Sequence, residues 1–432
     1  MGGFFFTFVL MERIFSKILL ALYFFCYTLP QNFFSLYIVF DRMSAQILFL
    51  SILNIIVFLY LFKDFKIEIL KQSVIQNHFL SFVGFIIISL FSILVAVNQI
   101  ESLVTIFKYI VYLISFISII LLSKYEKNFL NTLLIFTTLG LLIETLRVNY
   151  TIYESVIQDG NLLLRGNKFR GFTGNINISS FAIAIKIPLV IYLYLKTNMK
   201  VFKFLLLTLI FSAFITICLL MSRGAFLITL FLVCLAPIML SLKKEFKFLK
   251  AYFVIPILFL ASFYTQQLLV KENTPDQMLE RFSTITDSGK DESVNERLIF
   301  YRSALQSIKE TPILGVGIGN WKLISIELGK EMVSGYRIPY FTHNDYLQIT
   351  AEIGLIGGIL FTYFILFPLF FSLRKFFKSN DNLLYLTLTL IFIVYGFDSL
   401  INFPLDRPVN VIYFLFCVTL LYTSTNKIKN AK

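Results

Sequence analysis

Residues 204–242 read FLLLTLIFSAFITICLLMSRGAFLITLFLVCLAPIMLSL, two apolar runs separated only by Ser222-Arg223-Gly224. Each run is about the 20 residues that a helix needs to cross a hydrocarbon layer, and the one charge falls where the chain must turn back. A soluble helical hairpin would carry a polar face along each arm; these arms have none. The rest of the 432-residue chain repeats the pattern, with 58% hydrophobic and 15% charged residues, 51 Phe and 22 Tyr. That apolar fraction exceeds the roughly 45–50% of soluble domains. A water-soluble fold of this composition would expose more apolar surface than it could cover.

The chain is therefore expected to be an all-α polytopic membrane protein, one membrane domain over residues 1–432, with about twelve spans. They fall near 16–38, 45–62, 78–97, 103–122, 128–147, 176–195, 202–221, 224–241, 249–269, 346–372, 383–400 and 408–424. Loops after even-numbered spans hold Lys63, Lys66 and Lys71; Lys124 and Lys127; Lys196, Lys200 and Lys203; Lys243, Lys244, Lys247 and Lys250; and Arg374, Lys375 and Lys378. The opposite short loops hold little beyond Arg42, Arg223 and Arg407. The positive-inside rule makes the lysine-rich side, and both termini, cytoplasmic. No signal-peptide cleavage pattern follows Met1, so the first span is expected to be retained. Two longer segments, 148–175 and 270–345, fall on the outer side. The net charge of +13 is scattered between apolar runs and forms no single basic face, which excludes a nucleic-acid footprint. Cys26, Cys218, Cys234 and Cys417 lie inside apolar segments without metal or disulfide spacing.

Chemistry is expected on the outer side. Residues 271–293 are polar and broken by Pro275 and Gly289. Ser293-x-x-Glu296 is a capping-box pattern, and Leu298, Tyr301, Leu305 and Ile308 follow at helical spacing, which predicts an amphipathic helix over 294–310. Arg297 shares a face with Tyr301; its guanidinium serves either an internal carboxylate or a bound anion. Gly315-Val316-Gly317-Ile318-Gly319-Asn320 does not fit a nucleotide-binding glycine loop and reads as tight turns. His343 is one of two histidines, in Thr342-His343-Asn344-Asp345-Tyr346 at the start of the tenth span. With Thr342 as cap, it would stand in the first helical turn, where the helix dipole keeps an imidazole neutral and available as a base; a structural histidine is the alternative. Asp345 either orients it or helps cap the helix. Gly354-xxx-Gly358 reads as a helix-packing pair. His78 is expected to have no chemical role. Lys186, mid-span beside Pro188, is a charge expensive enough in a membrane to suggest transport, or else a partner for a lipid phosphate or an internal carboxylate. Against transport, no internal repeat is visible.

Taken together, Arg170-Gly171-Phe172-Thr173-Gly174-Asn175, Ser222-Arg223-Gly224-Ala225, Arg297 with Pro312-Ile313-Leu314-Gly315-Val316-Gly317, and His343-Asn344-Asp345-Tyr346-Leu347 with Glu352-Ile353-Gly354-Leu355-Ile356-Gly357 resemble the O-antigen ligase and polymerase family of bacterial membrane glycosyltransferases. The resemblance spans about residues 165–410. It implies a GT-C type helical fold in the inner membrane and a periplasmic active site. It also implies an undecaprenyl-diphosphate-linked glycan donor and a hydroxyl acceptor such as lipid A core. Arg223 and Arg297 would then hold the donor diphosphate, and His343 would take the acceptor proton. Arg170, Arg302, Arg407, Asp345 and Lys186 are the further substrate-binding candidates. Forked guanidinium hydrogen bonds suit phosphate oxygens. The outer segments carry no DxD pair, so neither a metal nor another cofactor is expected. Ligation to lipid A core, polymerisation of repeat units and transfer to a protein hydroxyl share the donor end. Ligation is the first expectation, and a multi-span transporter is the alternative from a different class.

Overall fold

The computed structural model describes residues 2–28, 42–61, 73–126, 128–159, 171–173, 175–269, 292–329, 340–379 and 381–430. Arg170, Gly174, Lys63, Lys66, Lys71, Lys127 and the polar stretch 271–291 lie outside them. Every long regular element among the described residues is an α-helix. Eleven stretches among them are long and apolar enough to cross a membrane, and side chains such as Leu59, Leu94, Phe107, Phe204 and Leu260 point outward from them, each more than 60% exposed. Apolar surface on this scale is stable against lipid and not against water. The protein is an all-α polytopic membrane protein. Part of the expected first span, 29–38, lies outside the described residues; the preceding helix, α1, is Gly2–Phe24.

The chain divides into two compact units. The first comprises Met1–Leu133, Glu296–Pro368 and Asn402–Lys432. Its helices are α1, α2 (Arg42–Leu61), α3 (Ser73–Ser92), α4 (Gln99–Tyr125), α12 (Glu292–Glu310), α13 (Trp321–Gly329), the first part of α14 (Asp345–Lys378) and α16 (Pro408–Asn430). α4 is central, packed on α1, α2, α3 and α16 through buried Tyr112, Phe116 and Ile119. His78 in α3 lies in an aromatic box. Its ring stacks on Phe364 at 4.6 Å, and its two nitrogens meet the Phe364 carbonyl and the Tyr422 hydroxyl at 2.6 Å each. It is used for packing.

The tenth span is not a continuous helix. Ile353 (φ −127°, ψ 15°) and Gly354 (φ 76°, ψ 178°) interrupt α14, and the turn between α12 and α13 fills the break. Val316 N–H donates to the Ala351 carbonyl (3.1 Å), Gly317 N–H to the Glu352 carbonyl (2.9 Å) and Leu355 N–H to the Pro312 carbonyl (2.8 Å). Gly315, Gly317 and Gly319 all have positive φ, as this tight path requires. The Glu352 carboxyl group accepts from Gly319 N–H at 2.9 Å and Trp321 N–H at 3.3 Å, and so caps α13. Gly354 therefore serves a helix break and not the expected packing pair: a Cβ there would strike the backbone of Ile313 and Pro312.

The second unit comprises Leu134–Asn295 and Leu369–Ile401. Its helices are most of α5 (Phe129–Asp159), α6 (Ile176–Ala184), α7 (Ile187–Lys196), α8 (Lys200–Leu220), α9 (Arg223–Leu242), α10 (Phe246–Tyr252), α11 (Val254–Leu269), the end of α14 and α15 (Asn382–Ile401). α5 stays helical to Asp159, so the expected outer segment 148–175 begins as helix. The sixth span breaks between α6 and α7 ahead of Pro188. There the Lys186 N–H bonds the Ile183 carbonyl in place of Ala182, and the Lys186 ammonium takes the Ala182 carbonyl at 2.8 Å. Both Glu144 oxygens accept from the same ammonium, at 3.0 and 3.1 Å. Lys186 is 1% exposed, and its three donors are all used inside the unit. The substrate-binding expectation for Lys186 gives way to the internal-carboxylate reading.

Two outcomes follow. Gly354→Ala lowers stability by more than about 2 kcal/mol, because the strain is backbone against backbone. Gly84→Ala, where a Cβ meets only the end of the Leu360 side chain, is close to neutral. Thermal unfolding in detergent reads both. Lys186→Ala costs about 3–5 kcal/mol by leaving Glu144 buried without its lysine, and Lys186→Met combined with Glu144→Leu recovers most of that loss.

Candidate functional site

His343 lies at the head of α14 in the first unit, but not inside the helix. The N-cap is Asn344, whose Oδ1 accepts from Leu347 N–H at 3.0 Å. Thr342 does not cap; its hydroxyl accepts from Asn344 N–H (3.1 Å) and donates to the Asn344 carbonyl (2.7 Å). Between them His343 adopts a left-handed backbone, φ 58°, a conformation that costs a non-glycine residue about 1–2 kcal/mol. Tyr301 of α12 holds it there, donating its hydroxyl to the His343 carbonyl at 3.1 Å. The imidazole packs edge-on to Phe403 at 5.1 Å. Its Nδ1 is buried and without a hydrogen-bond partner among the described residues. Desolvation first and the Arg297 guanidinium second push its pKa down from 6.5 to about 4. The ring is neutral at pH 7.

The predicted amphipathic helix is α12, with its buried face turned from the expected one. Leu298 and Leu305 are exposed; Phe300, Ala304 and Ile308 pack on Trp321 and Ala351. Ala304 is small enough to admit the Trp321 ring against the helix. Arg297 is half-buried one turn before Tyr301 and acts electrostatically on both Tyr301 and His343. Arg302 is exposed.

The segment 403–407 brings up the rest of the site. The Arg407 guanidinium lies over the Phe403 ring at 5.0 Å, and Phe341 stacks on that ring at 4.1 Å. Arg407 also donates to the Met43 sulfur at 2.9 Å. Asp406 is ion-paired with Lys108 of α4. Asp345 is 3% exposed and accepts from Leu405 N–H at 3.1 Å. It ties the head of α14 to this segment. Around Phe403 the first unit thus gathers His343, Arg407 and Phe341, with Arg297 acting on the imidazole and the Lys108–Asp406 pair next in the chain to Arg407. Sequence reading missed Lys108 and Phe403. A charge inside an apolar run was the available signal for Lys108; a single Phe among 51 carried none.

Arg223 belongs to the second unit. It opens α9 after the left-handed Met221 (φ 56°) and is half-buried.

Residues 205–362 match the O-antigen ligase family. That match takes in Arg223, Arg297, Arg302, His343, Asp345 and the broken part of α14, and leaves Arg170, Lys186 and Arg407 outside it. Two curated relatives are similar to parts of the chain. A protein of Rickettsia conorii named as a polysaccharide ligase is 30% identical over 173 residues, 35% of this chain and 41% of its own. The exopolysaccharide production protein ExoQ of Rhizobium meliloti is 30% identical over 98 residues, 22% of each chain. The chain thus spans less than half the length of either relative.

Because protonation of His343 is opposed by burial and by a neighbouring cation, Arg297→Gln raises its pKa from about 4 toward 6.5. An NMR titration of the labelled imidazoles measures this directly, since His78 is the only other histidine.

Proposed function

We propose that this protein is an O-antigen ligase-like glycosyltransferase of the bacterial inner membrane. It moves a glycan from undecaprenyl diphosphate to an acceptor hydroxyl, lipid A core first, on the periplasmic side. The acceptor oxygen attacks the anomeric carbon as the bond to the diphosphate breaks. His343 takes the proton from that hydroxyl, and the diphosphate leaves with the electron pair. Arginine charge offsets the developing negative charge: Arg297 acts on the imidazole within the first unit, and the family resemblance adds Arg223, with Arg407, Arg170 and Arg302 as further contacts to the donor. The observation that carries this reading is a buried imidazole with a free Nδ1, held neutral beside a cation. A base must be neutral to accept a proton, and a leaving diphosphate needs positive charge.

The acceptor has two readings within the same chemistry. The Rickettsia relative is named a polysaccharide ligase, which favours ligation, and the Rhizobium relative is named for exopolysaccharide production; polymerisation of repeat units and transfer to a protein hydroxyl use the same donor chemistry. The transport alternative rested on Lys186, and its pair with Glu144 gives that lysine a structural use.

The test is reconstitution with undecaprenyl-diphosphate glycan and each acceptor in turn. His343→Asn, whose side chain tolerates the left-handed backbone, lowers kcat by about 10²–10⁴-fold. Arg297→Gln and Arg223→Gln lower it by about 10²–10³-fold. The rate is expected to be unchanged by EDTA. Parental rates in all three variants would remove the catalytic assignment.

A further inference from the structure

Gln348 lies one turn into α14, and its side chain bonds both to the segment ahead of the helix and to the carboxylate at the helix break. Its Oε1 accepts from Thr342 N–H at 3.1 Å. Its Nε2 donates to Glu352 Oε1 at 3.3 Å. Glu352 is the carboxylate that gathers Gly319 N–H and Trp321 N–H at the helix break, and it is 1% exposed. A chain of hydrogen bonds therefore runs from the glycine turn, through Glu352 and Gln348, to the peptide that precedes His343.

His343 needs such a tie. Its left-handed backbone is unfavourable in isolation and persists only where the surroundings over-determine it. Tyr301 fixes the carbonyl after the residue, and the Thr342–Asn344 bonds bracket it locally. Gln348 alone among these contacts, through its side-chain amide, links the bracket to the buried break in the helix. Without it Thr342 N–H loses its acceptor, and the turn can relax toward ordinary backbone geometry with the imidazole swinging away from its buried seat.

We infer that Gln348 is a positioning residue, which transmits the rigid Glu352 junction to the strained backbone of His343 and so sets the seat of the imidazole. The inference rests on the proposed role of His343 only for its catalytic consequence; the positioning itself is read without turnover.

Three variants in detergent test it: Gln348→Leu, Gln348→Glu, and the exchange Gln348→Glu with Glu352→Gln. In the exchange, a carboxylate at 348 still accepts from Thr342 N–H, and an amide at 352 accepts from Gly319 N–H and donates to 348, so the link from the turn to Thr342 is kept with its polarity reversed at the cost of the Trp321 N–H bond. In imidazole NMR titrations His343 moves from about 4 toward 6.5 in Gln348→Leu and Gln348→Glu, and returns to the parental value in the exchange. In the reconstituted transfer reaction the two single variants lower kcat by about 10–100-fold, with KM for the lipid-linked donor within about twofold, and the exchange restores kcat. A parental His343 titration in either single variant overturns the inference, as does an exchange that titrates like Gln348→Glu. If the single variants do not fold, the exchange decides alone: a parental titration supports the relay, and a shifted one overturns it. If titrations shift as expected while His343→Asn transfers glycan at the parental rate, the positioning stands and the proposed catalytic role falls.

Discussion

A helix that stops inside an apolar slab must have its freed N–H and C=O groups satisfied by protein, because the surroundings offer no partner. In this chain that demand falls on α14 at Ile353–Gly354, and the glycine turn between α12 and α13 meets it. The arrangement of the first unit's polar end follows. The turn must lie against the break, so α12 must end and α13 must start there. α12 then presents Tyr301 to the backbone of His343 and brings Arg297 near its ring. Glu352 satisfies both the break and the α13 N-terminus, which is why a carboxylate can be 1% exposed in this environment.

Around Phe403 the electrostatics are uneven in a useful way. The two carboxylates already have partners, Asp406 with Lys108 and Asp345 with a backbone amide. Arg407 lies on the Phe403 ring, so its positive charge is held beside the imidazole's aromatic neighbour. An imidazole in such company resists protonation.

Much of the fold was legible because membrane spans are written in uninterrupted apolar runs, and residues 204–242 alone settle the class. Interruptions were harder. Gly354 and Gly358 satisfy a packing pattern, and nothing local shows that Gly354 instead receives a turn some 40 residues earlier in the chain. The α12 stripe misled because Leu298 and Leu305 are apolar yet exposed, while Phe300, Ala304 and Ile308 take the packed face. His343 and Arg297 could be chosen from rarity and position. Lys108 could not be matched to Asp406, nor Lys186 to Glu144, because ion pairs between separate spans leave no periodic trace.

The Lys186–Glu144 pair also bears on the order in which the chain enters the bilayer. A lysine alone at mid-span opposes insertion by about 2.5–3.5 kcal/mol. The carboxylate that offsets it belongs to α5, the helix made just before, so the neutralising partner is already present when α6 and α7 arrive. The two charges are best accommodated when these helices enter as a hairpin, with the kink ahead of Pro188 closing over a pair that neither helix could carry into lipid alone.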